Sequence, residues 1–300
     1  MSSDSKRIAD ESPCPHQKRP KVDGKPASTR TAQQYPHGNF PNYYGYRHLS
    51  VAPSALANEP RLAVLRPEWV HGQRVLDIGC NTGLITAYLA QHGSPQWIVG
   101  VDIDRTLVQK AKGHVNFVHS LQYPALSAHT RSTPPSVTDT HYFPLSMPLL
   151  YGQVAAYHPL LVPVAYRASG QTLAQLPPLR FPQNIFLYAT NWAAEDLAAL
   201  PTEYDLILAL SVAKWIHLNQ GDTGIQAFFA KVYQQLAFGG RFLFEPQPWE
   251  SYANSCKVNA HLHHTFKTIK FFPSSFTEYL LQVVGFQSVE QLQTPDTYAK

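Results

Sequence analysis

The stretch VLDIGCNTG, residues 75–83, brings a carboxylate, Asp77, to the edge of a loop punctuated by Gly79 and Gly83. A glycine loop after a first buried strand offers a helix N-terminus to a ligand lying in the crevice beyond the strand ends. Two chemistries compete for such a loop. A dinucleotide site spells G-x-G-x-x-G, so that backbone can approach a pyrophosphate. Here Asn81 stands where the middle glycine would be, and Asp77 would repel a pyrophosphate. The same carboxylate suits the cationic end of S-adenosylmethionine, which carries an ammonium, a sulfonium and no phosphate. Asp102, near the end of WIVGVDID, stands where an acid accepts hydrogen bonds from both ribose hydroxyls. The loop and its two acids favour a methyl-transfer cofactor. A phosphate-binding α/β protein with a degenerate loop is the alternative.

The elements that must position these residues follow from the pattern of apolar runs. RVLDIG (74–79) reads as a buried strand, and TGLITAYLAQHG as a helix closed by Gly93. WIVGVDID is a second buried strand, followed by a helix from Thr106 to about Lys112. NIFLYAT (184–190), YDLILAL (204–210) and RFLFEP (241–246) are further strands. DTGIQAFFAKVYQQLAFGG reads as an amphipathic helix with a glycine stop. PSSFTEYLLQVVGF reads as a helix that Ser274 or Ser275 can cap and Gly285 ends. QSVEQLQ is expected as a last strand. Buried strands alternating with helices predict a mostly parallel α/β sheet with helices on both faces.

Two regions fall outside this rhythm. Residues 1–34 are rich in Ser, Pro, Lys and Arg and cannot bury enough surface to fold alone, so a disordered basic tail is expected ahead of a domain over 35–300. Within the tail, QKRPK is a nuclear import signal, a phosphate-seeking segment or a solvated tail. Residues 119–182 hold ten of the 25 prolines and four charged residues, which predicts an inserted, mostly irregular loop.

Composition sets further bounds. Charged residues make up 15% of the 300-residue chain, below the roughly 25% usual for soluble domains, and the net charge is +4. That mild excess fits a polyanionic partner without demanding one. The three cysteines, Cys14, Cys80 and Cys256, match no zinc spacing and argue for a reducing compartment. No apolar run reaches the roughly 18 residues of a membrane span. AHLHHTFKTIK (260–270) carries three histidines and two lysines, but its spacing supplies no further metal ligand, so no metal site is expected. With Lys257 it reads as an RNA-facing basic surface or as a plain solvated face.

NFPNYYGYR, RLAVLRPEWVHGQRVLDIGCNTG, VGVDID, SVAKWIHLN and FEPQPWESY together resemble the methylphosphate capping enzymes of small nuclear RNAs. The likeness covers about residues 35–118 and 183–295. It implies a class I S-adenosylmethionine-dependent methyltransferase fold and methyl transfer to the γ-phosphate at the 5′-triphosphate end of a small non-coding RNA. It also implies a nuclear, monomeric enzyme working beside RNA-binding proteins of a ribonucleoprotein, away from membranes. By the family pattern the cofactor contacts Tyr44, Arg61, Gly79, Cys80, Asn81, Asp102, Ile103, Asn191, Trp192 and Leu210. Tyr43, Arg47, Lys214, His217, Gln247 and Trp249 surround the triphosphate and first nucleotide. The sequence departs from the pattern at Trp192, usually tyrosine, at Val212-Ala213, usually Leu-Thr, and at Gln220, where an aromatic is common. The family's final strand also has no counterpart before Lys300.

Each phosphate-site residue has a bland reading beside this one. Lys214 could point to solvent, His217 could be a satisfied structural histidine, and Tyr43 and Tyr44 could be core aromatics. Trp249 packs as a lid or stacks on a nucleotide with equal weight. A terminal phosphate is mostly dianionic at pH 7 and already nucleophilic, so the chemistry needs positioning rather than a general base. Two alternatives stand beside this function: a non-catalytic RNA-binding subunit of a ribonucleoprotein, and a 5′-monophosphate RNA methyltransferase.

Overall fold

The computed structural model describes residues 35–38, 59–122, 143–156, 179–194 and 203–293. The basic tail and the arm carrying Tyr43, Tyr44 and Arg47 lie outside the described residues. Five strands form one parallel sheet: β1 (Arg74–Ile78), β2 (Trp97–Asp102), β3 (Ile185–Ala189), β4 (Tyr204–Leu210) and β5 (Leu236–Glu245), in the order β3-β2-β1-β4-β5. The order reverses at β1, and a ligand crevice opens at such a switch point beyond the carboxyl ends of the strands.

Register explains why the strands read as unbroken apolar runs. Val75 pairs with Ile98 and Leu206, and Leu76 with Val99 and Ile207. The first set joins Ile185 and Leu187 under a layer built from Ile85, Leu89, Val108, Ala111 and Val115. The second set joins Phe186 under Phe228, Phe229, Val232 and Phe276. Both faces are covered, so neither can alternate with polar residues.

The helices follow the same logic. Of the main helices, α1 (Leu84–His92) and α2 (Arg105–Ser120) cover one face. Asp104 caps α2 by accepting from the backbone N–H of Thr106 at 2.7 Å. This helix runs eight residues past the expected end at Lys112, because Gly113 sits in helical backbone with open space around it and Val115 continues the buried stripe. A short helix, α3 (Ser146–Tyr151), lies within the Pro-rich region.

α4 (Ala213–Gln235) covers the other face and differs from expectation at both ends. It starts nine residues before Asp222 and is broken at Gly221, whose φ of 68° and ψ of −167° are not helical. It stops at Gln235 rather than at the Gly239-Gly240 pair, because LAFGG already belongs to β5. Gly239, at φ 78°, sits where the β4–β5 register jumps between Tyr204 and Leu206. Such a jump needs a left-handed residue, and glycine adopts it without a Cβ penalty.

The C-terminal part packs as α5 (Glu250–Ser255), α6 (Ala260–Thr268) and α7 (Phe276–Tyr279), the last continued by a π turn, Leu280–Val284. Gly285 closes that turn at φ 103°, as expected, whereas Ser274 and Ser275 lie in a 3-10 turn without a side-chain cap. The expected strand QSVEQLQ is coil: residues 287–293 pair with no strand. Its exposed polar residues have no apolar face to bury against β5.

Candidate active site

The crevice at the switch point is a cleft of about 340 Å³, within the range of small-molecule sites, about 300–1,000 Å³. Its floor is the turn after β1. There Gly79 and Cys80 both donate backbone N–H bonds to the Val101 carbonyl, at 2.8 and 3.0 Å, tying the loop to the end of β2. Gly79 has φ 77°, and a Cβ on it would lie 2.1 Å from Cγ1 of Val212. Asn81 follows with φ 51°, and its side-chain oxygen accepts from the N–H of Thr82 at 2.8 Å. An asparagine tolerates this left-handed position because its short side chain bonds locally.

Two acids define the polar end of the cleft. Asp102 is buried at the end of β2, with Oδ2 accepting from the Asn81 N–H at 2.9 Å and Oδ1 from the Asp104 N–H at 2.9 Å. A carboxylate has about four lone-pair sites, so each oxygen retains capacity for a ribose hydroxyl. Burial raises the Asp102 pKa, and the two backbone donors oppose that shift. Asp77 is also buried and accepts from the Thr86 hydroxyl at 2.6 Å. Desolvation pushes its pKa up to about 6, opposed by the Thr86 bond and by the Arg61 charge. The apolar walls include Ile85, Ile103 and Trp192, whose indole meets Phe228 edge-on while the Lys231 ammonium lies 4.6 Å from its ring centroid.

Of the expected cofactor residues, Asp77, Gly79, Asn81, Asp102, Ile103, Asn191, Trp192 and Leu210 all line this cleft. Cys80 and Arg61 do not. The Cys80 side chain is buried in the core cluster that also holds Ile85 and Ala111, and burial raises its thiol pKa well above the usual range. Arg61 is buried, paired with Glu59 at 2.6 Å and with Glu245 at 3.9 Å, and its charge acts on Asp77. Both sit next to the site in sequence or charge without facing it.

The expected phosphate-site residues are placed less uniformly. Lys214 lies in the first turn of α4, half-buried, with its ammonium 5.3 Å from the centroid of Trp215, itself a cleft wall. Burial lowers its pKa. Gln247 does not project toward ligand. Its amide nitrogen donates to the Ser211 carbonyl and its oxygen accepts the Lys214 N–H at 3.1 Å, so it buckles the β4–α4 turn. That turn needs a buckle because Ser211 holds φ 62°.

His217 is corrected from a ligand contact to a core residue: it is fully buried, ringed by Tyr252, Phe271 and Phe276. Its Nε2 donates to Asp222 Oδ1 at 2.8 Å, because a carboxylate only accepts, and Nδ1 is left facing the Tyr252 hydroxyl at 3.4 Å. Trp249 is stacked on Phe266 at 4.8 Å and meets Tyr252 and Phe272, so its ring already has aromatic partners. The cleft also includes His37, Gly38, Thr190, Trp215 and Asn219, to which the sequence analysis assigned no role, although Trp215 and Asn219 lie within the quoted SVAKWIHLN and the first two stand beside an aromatic-rich stretch. Among the described residues no group of three His, Cys, Asp or Glu side chains could hold a metal.

A switch-point cleft with a glycine turn, a buried acid at the end of β2 and a second carboxylate at the loop defines a class I S-adenosylmethionine-dependent methyltransferase. Residues 75–141 match the general methyltransferase domain and residues 204–300 match the family described as Bicoid-interacting protein 3 (Bin3). The chain is 34% identical over 264 residues to a probable RNA methyltransferase of Arabidopsis thaliana, covering 88% of this chain and 76% of that one. It is 30% identical over 285 residues to the U6 snRNA methylphosphate capping enzyme Amus of Drosophila melanogaster, covering 93% and 75%. Against the human 7SK snRNA methylphosphate capping enzyme the identity is 33% over 280 residues, but the chain spans only 38% of that protein's length. The chain belongs to the Bin3 family of methyltransferases.

Proposed function

We propose that this protein transfers a methyl group from S-adenosylmethionine to the terminal phosphate of a 5′-triphosphate RNA, a small nuclear RNA in the class of 7SK or U6. The observation that carries the reading is the position of Lys214. It lies in the first helical turn beyond the cleft wall formed by Leu210, Ser211 and Val212, where an anion would meet both its ammonium and a helix N-terminus. The identities to the 7SK and U6 enzymes support the triphosphate end, being higher and longer than the 24% over 239 residues to a Xenopus pre-miRNA 5′-monophosphate methyltransferase.

The residues fit the cofactor. Asp102 would accept from the ribose, Asp77 would balance the ammonium, and Ile103 and Trp192 would flank the adenine. Bound there, the cofactor supplies an electrophilic methyl group on a sulfonium. The chain's own contribution is positioning. Lys214 holds the terminal phosphate, and the Gln247 buckle fixes the turn that carries Lys214. His217 serves as neither base nor acid, being sealed and engaged. A dianionic phosphate oxygen needs no base. The nuclear setting rests on QKRPK and on the nuclear RNAs named for the relatives. No helix of the described residues is long and apolar enough to cross a membrane.

Lys214→Ala is expected to lower kcat/KM for triphosphate RNA about 10- to 150-fold, the value of a charge-assisted hydrogen bond, about 1.5–3 kcal/mol. Affinity for S-adenosylhomocysteine should stay nearly intact. Arginine at 214 should rescue only part of the loss, because its planar fork does not reproduce a point charge. Kinetics with saturating cofactor and varied RNA measure this, with 5′-monophosphate and dephosphorylated RNA as parallel substrates. A variant within twofold of wild type, or equal transfer to dephosphorylated RNA, overturns the reading.

The pH dependence of cofactor binding follows from Asp77. In the free protein its pKa is raised from 3.8 to about 6, so the native state binds that proton more tightly than the unfolded chain. Its contribution to stability is therefore greatest in acid, declines as pH rises through this window, and levels above about 6. Binding of the cofactor ammonium needs the ionised form. Affinity for S-adenosylhomocysteine should therefore weaken as pH falls below about 6, approaching tenfold per pH unit for one linked proton. Asp77→Asn should bind weakly at neutral pH and lose this component of the dependence. Calorimetric titrations from about pH 7.5 to 5 decide it; a wild-type affinity flat across that range would separate Asp77 from the ammonium.

A further inference from the structure

The four residues Tyr35–Gly38 form a tight turn, with the Gly38 N–H donating to the Tyr35 carbonyl at 3.2 Å, and His37 and Gly38 line the cofactor cleft. This strap is distant in sequence from every other cleft wall. Two observations show how it is seated. Gly38, at φ 68°, lies flat on the Trp215 indole, and a Cβ there would fall 1.9 Å from the ring. The Asn219 carboxamide donates to the Pro36 carbonyl at 3.0 Å and to the Trp215 carbonyl of its own helix at 2.8 Å.

Asn219 is also held from behind. The helix break at Gly221 takes the Asn219 carbonyl out of the regular ladder, and it accepts from His261 Nε2 on α6 at 2.9 Å. Strap, α4 and α6 therefore meet at one residue on the rim of the cleft.

We propose that Asn219 is a positioning residue for the cofactor: its carboxamide seats the strap so that His37 closes the cleft beside Asp102 and Ile103. His37 is then a cofactor-contacting residue supplied by the strap. The strap acts by slowing escape of the ligand, and the effect should appear in dissociation more than in association. The proposal rests on the cofactor assignment alone and not on the identity of the RNA, so its outcome is independent of whether triphosphate RNA is methylated.

The test uses S-adenosylhomocysteine binding to the full chain, by calorimetry and stopped-flow displacement, with hydrogen exchange read at residues 35–38. Asn219→Ala removes the bond to Pro36, and Gly38→Ala unseats the strap from Trp215 without touching α4. Each should raise Kd about 3- to 10-fold, the range of one neutral hydrogen bond, mostly through faster dissociation. Each should also abolish the ligand-dependent protection of the strap amides. The double variant should bind no more weakly than the worse single one, since both act through one seated strap. Should Asn219→Ala fail to fold, Gly38→Ala and His37→Ala carry the comparison, and their effects should likewise fail to add. Affinities within twofold of wild type, multiplicative losses in the double variant, or unchanged strap protection each overturn the proposal.

Discussion

A Gly79→Ala protein is expected to bind S-adenosylhomocysteine about 100-fold more weakly than wild type. Two effects combine at this position. An L-residue at φ 77° costs about 1–2 kcal/mol relative to glycine. The added Cβ would also sit 2.1 Å from Val212 Cγ1, and relieving such overpacking costs typically about 1–3 kcal/mol. Their sum reaches the roughly 2.7 kcal/mol that corresponds to 100-fold. The loop cannot yield freely, because Gly79 and Cys80 are both anchored to the Val101 carbonyl. Displacing the turn moves Asn81, whose N–H holds Asp102. Combining the substitution with Val212→Ala should recover the steric part and leave the torsional part. Calorimetry on the four proteins of this cycle, with melting curves to confirm folding, gives the answer. Wild-type affinity in the single variant would mean that the turn is not the cofactor floor.

The second large effect concerns stability. Asp222→Ala should destabilise the fold by about 2–4 kcal/mol, several times the usual surface substitution. Asp222 stands just past the break in α4. One oxygen accepts from the buried His217, and the other accepts the N–H groups of Lys270 and Phe271 at 2.9 and 3.2 Å. Removing it leaves a fully buried imidazole N–H without its acceptor, which alone costs about 1–3 kcal/mol. It also unties the segment after α6 from α4. Burial lowers the His217 pKa more than Asp222 raises it, so the imidazole is neutral at pH 7 and the contact is a hydrogen bond rather than an ion pair. Asp222→Asn, which keeps an acceptor oxygen, should therefore cost much less than alanine. Denaturant unfolding at neutral pH measures both; equal losses for Asn and Ala would show that charge, not acceptance, holds His217.

Much of the fold was legible because parallel strands buried on both faces cannot hide: VLDI, WIVGV and LILAL are apolar runs in which Asp77 is the one charged residue. The cofactor loop was legible for a different reason. Its glycines and acids are close in sequence and their spacing follows from backbone geometry, so Asp77, Gly79, Asn81 and Asp102 share one cleft, joined by Ile103, Asn191, Trp192 and Leu210, which only the family resemblance implied. The misses have physical causes. The helix after β2 was expected to end at about Lys112, yet the next residue, Gly113, lies on an open face of α2 where no side chain is needed. Gly239 and Gly240 looked like another, but they serve a register jump inside β5. His217, Gln247 and Trp249 carry polar or aromatic groups suited to a phosphate site. The structure sets them against partners distant in sequence: His217 against Asp222, Gln247 against Ser211 and Trp249 against Phe266. Local pattern carries no information about such partners, and although the aromatic-rich setting of His37 stood out, its seat on Trp215 was not legible for the same reason.

The walls of the cleft come from residues 37–38, 77–85, 101–103, 190–193 and 210–220. No fragment shorter than residues 37–220 contains them all. The segment matching the Bin3 description, residues 204–300, carries only the last wall and none of the glycine turn. A ligand in this cleft is thus a non-covalent cross-link between distant parts of the chain, present only when all of them are assembled. Through mass action it stabilises the native state by about 2.7 kcal/mol at a hundredfold excess over its dissociation constant. The thermal midpoint consequently becomes a direct gauge of occupancy, and cofactor supply becomes a determinant of how long the folded chain survives.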